Sequence, residues 1–382
     1  MTELYSIIII TSLLLLVSLC TSYGVNNFFL KNASSFGKNK GGSQIRWASA
    51  AKPPVGGMSF YAVFILLVVL ITASTYFKIL KWDSNYLILG LLLPMTIGFF
   101  VGLADDSYNT SPLVKFIGQF LCGIFFIISG NSIYICDVSW VNYWFTMIWV
   151  VGMMNSINML DNMDGVVTSV SIISLLVALV IVFKLEHLNL VDIALIIGTL
   201  GALIGFLFFN WNPAKIYMGD TGSQFLGSFL AWVSIQYFWI FRDETDGGFQ
   251  AHQFLVPALA FTVSLIDTTT VTIRRLARGV SPFVGGRDHI THHFAYLGFS
   301  DKNVVRILIG ISLLSAFVIW IILDDLKNNH WNFYKTLSVV FYFVTTFTII
   351  QYFYETAKQK MPKSAANKQS VLLVEKLDEI NQ

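Results

Sequence analysis

Long apolar runs alternate with short polar stretches along almost the whole chain. Runs of roughly 18–22 residues have the length that a helix needs to cross a bilayer core. About eleven such runs are present: Tyr5–Gly24, Met58–Ile79, Tyr86–Leu103, Pro112–Gly130, Tyr143–Met159, Gly165–Leu185, Val191–Phe209, Gly222–Phe241, Phe254–Ile273, Val304–Leu323 and Phe333–Tyr354. Strands of a membrane β-barrel are shorter and alternate in polarity. These runs do neither. The pattern predicts an all-α polytopic membrane protein with about eleven transmembrane helices. The first run lacks the basic start of a cleaved leader and is expected to stay as a helix. Residues 1–354 read as a single integral-membrane domain and 355–382 as a polar tail, with a short amphipathic end at Val371–Ile380.

An odd number of crossings puts the termini on opposite sides. Loops joining odd runs to the next even ones, together with the tail, hold about three-quarters of the 24 Lys and Arg. By the positive-inside rule that side is cytoplasmic. The N-terminus is then expected outside and the C-terminus inside. Composition agrees with the membrane reading: 55% of residues are hydrophobic and 12% charged, against about 25% charged in a soluble domain. This excludes an ordinary soluble enzyme, a disordered chain and a nucleic-acid binder. Cys20, Cys122 and Cys136 have neither metal-ligand spacing nor the pattern of a disulfide framework.

The uncommon polar residues fall at the expected cytoplasmic helix ends. They lie in Lys52–Met58 with its Gly56-Gly57 pair, in Asp105-Asp106 followed by Lys115 and Gln119, in Asn155–Gly165, in Asn210–Ser223, and in Arg274–His293. Carboxylates about 4 Å apart repel by roughly 4 kcal/mol at an effective dielectric near 20. A convergence of Asp105, Asp106, Asp161, Asp164, Asp220 and Asp288 therefore calls for a cation. Oxygen ligands suit Mg²⁺ or Mn²⁺ rather than zinc. Mg²⁺ is usually completed by substrate phosphates, and Lys115, Arg287 and Arg274-Arg275 are available to neutralise them. Asn155, Asn158, Asp161 and Asp164 recur at i, i+3 spacing and share a helix face. Gly219-Asp-Thr-Gly-Ser223 opens a helix whose N–H groups suit an anion.

Each segment also has a plainer reading. Asp105-Asp106 can be a solvated terminus, though paired acids at a helix C-terminus oppose the macrodipole. The Asn/Asp run can be a polar loop and Gly219–Ser223 a turn with a cap. His289, His292 and His293 suit phosphate binding or proton handling, a solvated loop, or zinc, for which soft ligands are missing. Asp267, inside the ninth run, suits a structural hydrogen bond as well as a direct role. Acids inside a membrane also mark ion paths in secondary transporters, but here they gather at one face and no inverted repeat is visible.

Together these residues resemble the polyprenyl-phosphate N-acetylhexosamine-1-phosphate transferases of glycosyltransferase family 4, over about Lys52 to Gly298. Asp105-Asp106 with Lys115 resemble the family's first acidic motif. Asn155, Asn158, Asp161 and Asp164-Gly165 resemble its Asn-x-x-Asn-x-x-Asp-Gly-x-Asp-Gly pattern, with Asn162 in place of the usual Gly. Asn210, Pro213-Ala214 and Met218–Ser223 resemble the next motif, and Asp267-Thr268 with Arg274-Arg275 the ninth-helix pattern. The initiator branch, which includes undecaprenyl-phosphate GlcNAc-1-phosphate transferases, usually reads His-x-His-His. Here Thr291 takes the middle His and an extra His293 follows.

The resemblance implies transfer of an N-acetylhexosamine 1-phosphate from a UDP-sugar to undecaprenyl or another polyprenyl phosphate, releasing UMP. The setting implied is the cytoplasmic face of the bacterial inner membrane. It implies Mg²⁺, or Mn²⁺, on Asp220 and Asn158, and catalytic roles for Asp105, Asp106, His289 and His292. Lys115, Asn155, Asp161, Asp164, Asn210, Arg287 and His293 are implied to bind substrate. Membrane lipid is a further partner, and a homodimer is compatible with the family. The runner-up is the MurNAc-pentapeptide translocase, whose three consecutive histidines and usual ten crossings this chain does not match.

Overall fold

Helices follow the apolar runs. A computed structural model of the chain describes residues 2–32, 52–77, 88–185, 189–242, 248–282, 286–328 and 330–360. The amphipathic stretch at 371–380 and the acids at 243, 244 and 246 lie outside the described residues. In chain order the helices are α1 (Thr2–Lys31), α2 (Gly56–Tyr76), α3 (Leu93–Tyr108, led in by a π-turn at Ile88–Leu92), α4 (Pro112–Ile128), α5 (Ser139–Leu160), α6 (Val166–Lys184) and α7 (Leu190–Asn210). They continue with α8 (Gly219–Tyr237), α9 (Leu255–Ala260, after a 3₁₀ turn at Ala251–Phe254), α10 (Thr262–Ala277), α11 (Ile290–Tyr296), α12 (Asp301–Lys327) and α13 (Phe333–Lys360). No strand occurs among the described residues.

Seven helices are long and apolar enough to cross a membrane, or eight if the α9–α10 pair counts as one bent span. The chain is a multi-pass membrane protein. The difference from eleven runs has a physical cause. α4 is apolar but short. α5 and α8 are of spanning length, yet Asn142, Asn155 and Asn158 on one and Thr221, Gln224, Ser228 and Ser234 on the other lower their apolarity. α8 has no need of a lipid-facing surface, because nearly every residue in it is buried by other helices. α1 and α13 lie at the periphery, with large apolar side chains such as Ile9 and Phe341 exposed.

Small polar groups let the helices close on one another. Ser22 of α1 donates to Ala202 O of α7 at 2.7 Å, a close approach of the kind that small residues permit in lipid. The ninth run is not one straight crossing: α9 and α10 meet at 96° at Phe261. Side chains add to the backbone bonds at that break: Thr262 Oγ1 donates to Leu259 O at 2.8 Å and Ser264 Oγ to Phe261 O at 3.1 Å. α13 continues beyond Glu355, where the tail was expected to begin, and Glu355 there accepts from Arg274 at 3.3 Å.

Candidate active site

The N-terminus of α8 is the meeting point of the polar segments. Gly56 N and Gly57 N donate to Tyr217 O and Met218 O at 3.0 and 3.1 Å, and Tyr217 N donates to Pro53 O at 3.1 Å. These bonds lay the Lys52–Gly57 stretch along the entry to α8. On the other side α3 crosses at Gly102, where a Cβ would stand 2.2 Å from Asp220 O and 2.5 Å from Thr221 Cα. Only glycine lets the two backbones touch there.

One turn beyond Gly102, Asp106 caps α8 from the neighbouring helix. Its carboxylate accepts from Asp220 N at 3.0 Å, Thr221 N at 2.8 Å and Thr221 Oγ1 at 2.7 Å. Met218, at the capping position of α8 itself, makes no side-chain cap bond. The first N–H groups of a helix need such an acceptor. The expected anion at this helix start is thus found within the protein itself, and it holds Asp220 in place.

Asp105 points the other way. Lys115 Nζ lies 2.5 Å from Asp105 Oδ2 and 3.4 Å from Asp220 Oδ2, and Thr110 Oγ1 donates to Asp105 Oδ1 at 2.7 Å. Asn158 Nδ2 donates to Asp220 Oδ1 at 2.6 Å and to Ser223 Oγ at 2.8 Å. One ammonium therefore serves two carboxylates, with Asp106 a third acid behind them. Asn155 faces the same way one turn earlier, exchanging two hydrogen bonds with Gln119 at 2.8 and 3.2 Å. Gln119 also donates to Gln224 at 3.0 Å.

The donor set fits a hard cation. Asp220 and the amide of Asn158 converge, and rotating that amide presents its oxygen in place of its nitrogen. Among the described residues no group of three or more His, Cys, Asp or Glu forms a closed metal site. One carboxylate and one amide leave positions for phosphate oxygens and water, as Mg²⁺ sites commonly do.

Asp164 and Asn210 are engaged within the fold. Asp164 Oδ2 accepts from Ala214 N at 2.8 Å and Asn212 Nδ2 at 3.3 Å, with Lys52 Nζ at 3.6 Å. Buried Asn210 accepts from Gly165 N and Thr168 Oγ1 at 3.0 and 2.9 Å and donates to Ile216 O at 3.2 Å. Both tie the Asn/Asp segment to the loop before α8. Asp161 is half-buried at the C-terminal end of α5.

The His segment hangs from α10. Fully buried Asp267 meets His289 Nδ1 at 2.8 Å and accepts Ile290 N at 2.7 Å, leaving Nε2 as the ring atom for other contacts. Arg275 grips Asp288 through two bonds, at 3.0 and 2.6 Å, and donates to Pro282 O at 2.7 Å. Burial alone would raise the Asp288 carboxyl, but the Arg275 pair outweighs it and holds Asp288 below the usual range. Burial, followed by the neighbouring His289, pushes His292 well below the usual imidazole value. Burial pushes His293 down to about 4. Both rings are neutral at pH 7. His293 Nε2 donates to Asp288 O at 3.2 Å, and the ring packs against Tyr354 of α13. Arg287 is exposed at the rim, and Thr291 Oγ1 donates to Asn162 Oδ1.

The structure thus joins Asp105, Asp106, Lys115, Asn158 and Asp220 by direct contacts, with Asn155 alongside. Asp161, Asp164 and Asn210 lie at or beside the adjoining helix ends, and the His segment reaches that part through the Thr291–Asn162 bond. Thr110 and Gln224 complete the site without having been singled out, and neither lies in a segment whose spacing pointed to it. Thr221 and Ser223 were read only as part of the Gly219–Ser223 helix start, and the structure adds their side-chain bonds to Asp106 and Asn158.

Comparison with known proteins bears on this arrangement. The sequence profile of glycosyl transferase family 4 matches residues 88–238. A protein named probable undecaprenyl-phosphate N-acetylglucosaminyl 1-phosphate transferase, from Bacillus subtilis (strain 168), is 29% identical over 283 residues, covering 70% of this chain and 73% of its own length. The phospho-N-acetylmuramoyl-pentapeptide-transferase of Staphylococcus aureus (strain MSSA476) is 30% identical over 305 residues, covering 73% of this chain and 88% of its own length. The chain belongs to glycosyl transferase family 4. It is a transferase of the polyprenyl-phosphate hexosamine-1-phosphate class. In this family 4 transferase the profile takes in α3 to α8, and with them Asp105, Lys115, Asn158 and Asp220. The Lys52–Gly57 stretch and the His segment lie outside it.

Proposed function

We propose that the protein transfers N-acetylhexosamine 1-phosphate, with N-acetylglucosamine the preferred sugar, from a UDP-sugar to undecaprenyl or another polyprenyl phosphate. The products are UMP and a polyprenyl-diphosphate-sugar, formed at the cytoplasmic face of a bacterial inner membrane. The observation that carries this reading is Lys115, whose ammonium stands between Asp105 and Asp220 at the helix ends. Such a place suits a phosphoryl group, where catalysis is mostly positioning and charge stabilisation. The sidedness rests on the Lys and Arg count over eleven crossings, from which the N-terminus is expected outside and the C-terminus inside.

An oxygen of the lipid phosphate attacks the β-phosphorus of the UDP-sugar. The new O–P bond forms as the bond from that phosphorus to the bridging oxygen breaks, and UMP leaves with the electron pair. A phosphate monoester with a second pKa near 6 is largely dianionic at neutral pH, so Asp105 is needed to hold Lys115 rather than to remove a proton. Lys115 neutralises the transferring group. Asp106 keeps Asp220 in register. His289, oriented by Asp267, turns Nε2 toward the diphosphate with His292, His293 and Arg287 beside it. Asp161, Asp164 and Asn210 shape the nucleotide end, and Asn155 supports Asn158. Asp220 and Asn158 would hold Mg²⁺ or Mn²⁺, which when bound supplies positive charge to the diphosphate.

A second reading, with a UDP-MurNAc-pentapeptide donor, is favoured by the Staphylococcus relative; Thr291 within the His motif speaks against it. The test is incubation of protein-containing membranes with undecaprenyl phosphate and a panel of UDP-sugars, followed by the mass of the lipid product. A gain of one N-acetylhexosamine phosphate supports the first reading. A pentapeptide-bearing product supports the second, and release of UDP instead of UMP overturns both.

A further inference from the structure

Two of the positions at which the site departs from its family's pattern touch each other. Asn162 stands where the pattern has Gly, and Thr291 where it has a middle His. The Thr291 hydroxyl donates to Asn162 Oδ1. Asn162 Nδ2 donates to Met159 O at 3.0 Å, which fixes the amide and turns its oxygen toward α11. Thr291 is 0% exposed, and a buried hydroxyl requires a partner. Glycine at 162 has no side-chain oxygen to provide one.

The location gives the contact its meaning. Asn162 follows Asp161 at the end of α5, and Thr291 lies between His289 and His292. Asp267 and Arg275, which hydrogen-bond to the His segment, both come from α10. The Thr291–Asn162 bond instead ties the His turn directly to the Asn/Asp segment. Neither residue is a candidate to touch substrate or metal.

We propose that Asn162 and Thr291 are a positioning pair. It sets the separation between the Asp161–Asp164 end of the site and the His289–His292 turn, and so the seat of the donor diphosphate. The inference rests on the transfer reading above. Because the pair lies between two donor-side segments, its loss acts on the UDP-sugar and leaves the lipid substrate alone.

The experiment uses the full chain in nanodiscs containing polyprenyl phosphate, with Mg²⁺ and the UDP-sugar that the wild type uses best. Thr291→Val and Asn162→Gly each lower kcat/KM for the UDP-sugar about ten-fold, with KM for the lipid within about two-fold of wild type. Thr291→Ser, which restores the hydroxyl, recovers most of the loss. The double variant N162G/T291V is no worse than the poorer single one, as expected of partners in one contact. Wild-type kinetics in T291V, failure of T291S to recover, an equal rise in lipid KM, or losses that multiply in the double variant would each overturn the pair. If T291V does not fold, N162G and T291S carry the same comparison. Should the wild type consume no UDP-sugar, the transfer reading fails. The pair is then judged by melting temperature in the same variants: non-additive losses uphold the contact, and additive losses overturn it.

Discussion

Asp106 accepts the backbone N–H of Asp220 at 3.0 Å, so the acid that ends one helix caps the helix that carries another. This separates the roles of two adjacent residues. Asp105 faces Lys115, whereas Asp106 faces the start of α8. Losing such a cap costs about 1–2 kcal/mol. Asp106→Ala should therefore lower the melting temperature in detergent and lower UMP release with it, as Asp220 shifts. Asp106→Asn, which keeps one acceptor oxygen, should fall between Ala and wild type. Unchanged melting in D106A would show that the cap does not support the helix.

Lys115 is shared by Asp105 and Asp220, and removing it leaves two carboxylates facing each other. Lys115→Met and Asp220→Asn are each expected to slow UMP release by at least about 10²-fold, the scale of a lost charge-stabilising group. Rates within a few-fold of wild type would remove these residues from the reaction.

Gly102 tests the backbone contact. A methyl group there would meet Asp220 O at 2.2 Å, and a backbone atom cannot rotate away. Gly102→Ala should destabilise the fold by about 1–3 kcal/mol, the scale of overpacking, and reduce turnover by displacing Asp220. A G102A protein with wild-type melting and rate would contradict the close crossing of α3 and α8.

The His segment sets an acid limit. Burial lowers His293 to about 4 in the fold, whereas an unfolded His titrates near 6.5. Between those values the unfolded chain binds the extra proton, so stability is full above about pH 6.5 and falls as the pH drops toward 4. His292 shifts in the same direction and adds to the fall. Asp288 acts in a separate window: its contribution is lost only as the pH falls through a folded value below the ordinary carboxylate range. His293→Gln, which keeps a donor for Asp288 O, should flatten the loss of melting temperature between pH 6.5 and 4.5. An unaltered slope would show that His293 is not the group being titrated.

Much of the fold was legible because lipid imposes length and apolarity one residue at a time. Each apolar run became a helix or a helix pair. α8 shows where that logic weakens: a helix shielded by other helices need not be apolar enough for lipid. The 96° bend at Phe261 was hidden within a single apolar run, whose length and apolarity carry no mark of a break. The site was legible as a set of residue types at helix ends. Their pairing was not, because spacing along the chain does not say which of two neighbouring acids meets a lysine and which meets a helix start. Thr291 and Asn162 likewise appeared as two separate irregularities, and only packing shows them to be one contact.

The most direct test of the central claim is UMP release by the purified protein, measured with a UDP-N-acetylhexosamine in the presence and absence of polyprenyl phosphate and of Mg²⁺. UMP is expected only when donor, lipid phosphate and divalent cation are all present, with turnover lost in EDTA and regained on adding Mg²⁺. UMP formed without the lipid, or turnover unaffected by EDTA, would contradict that claim.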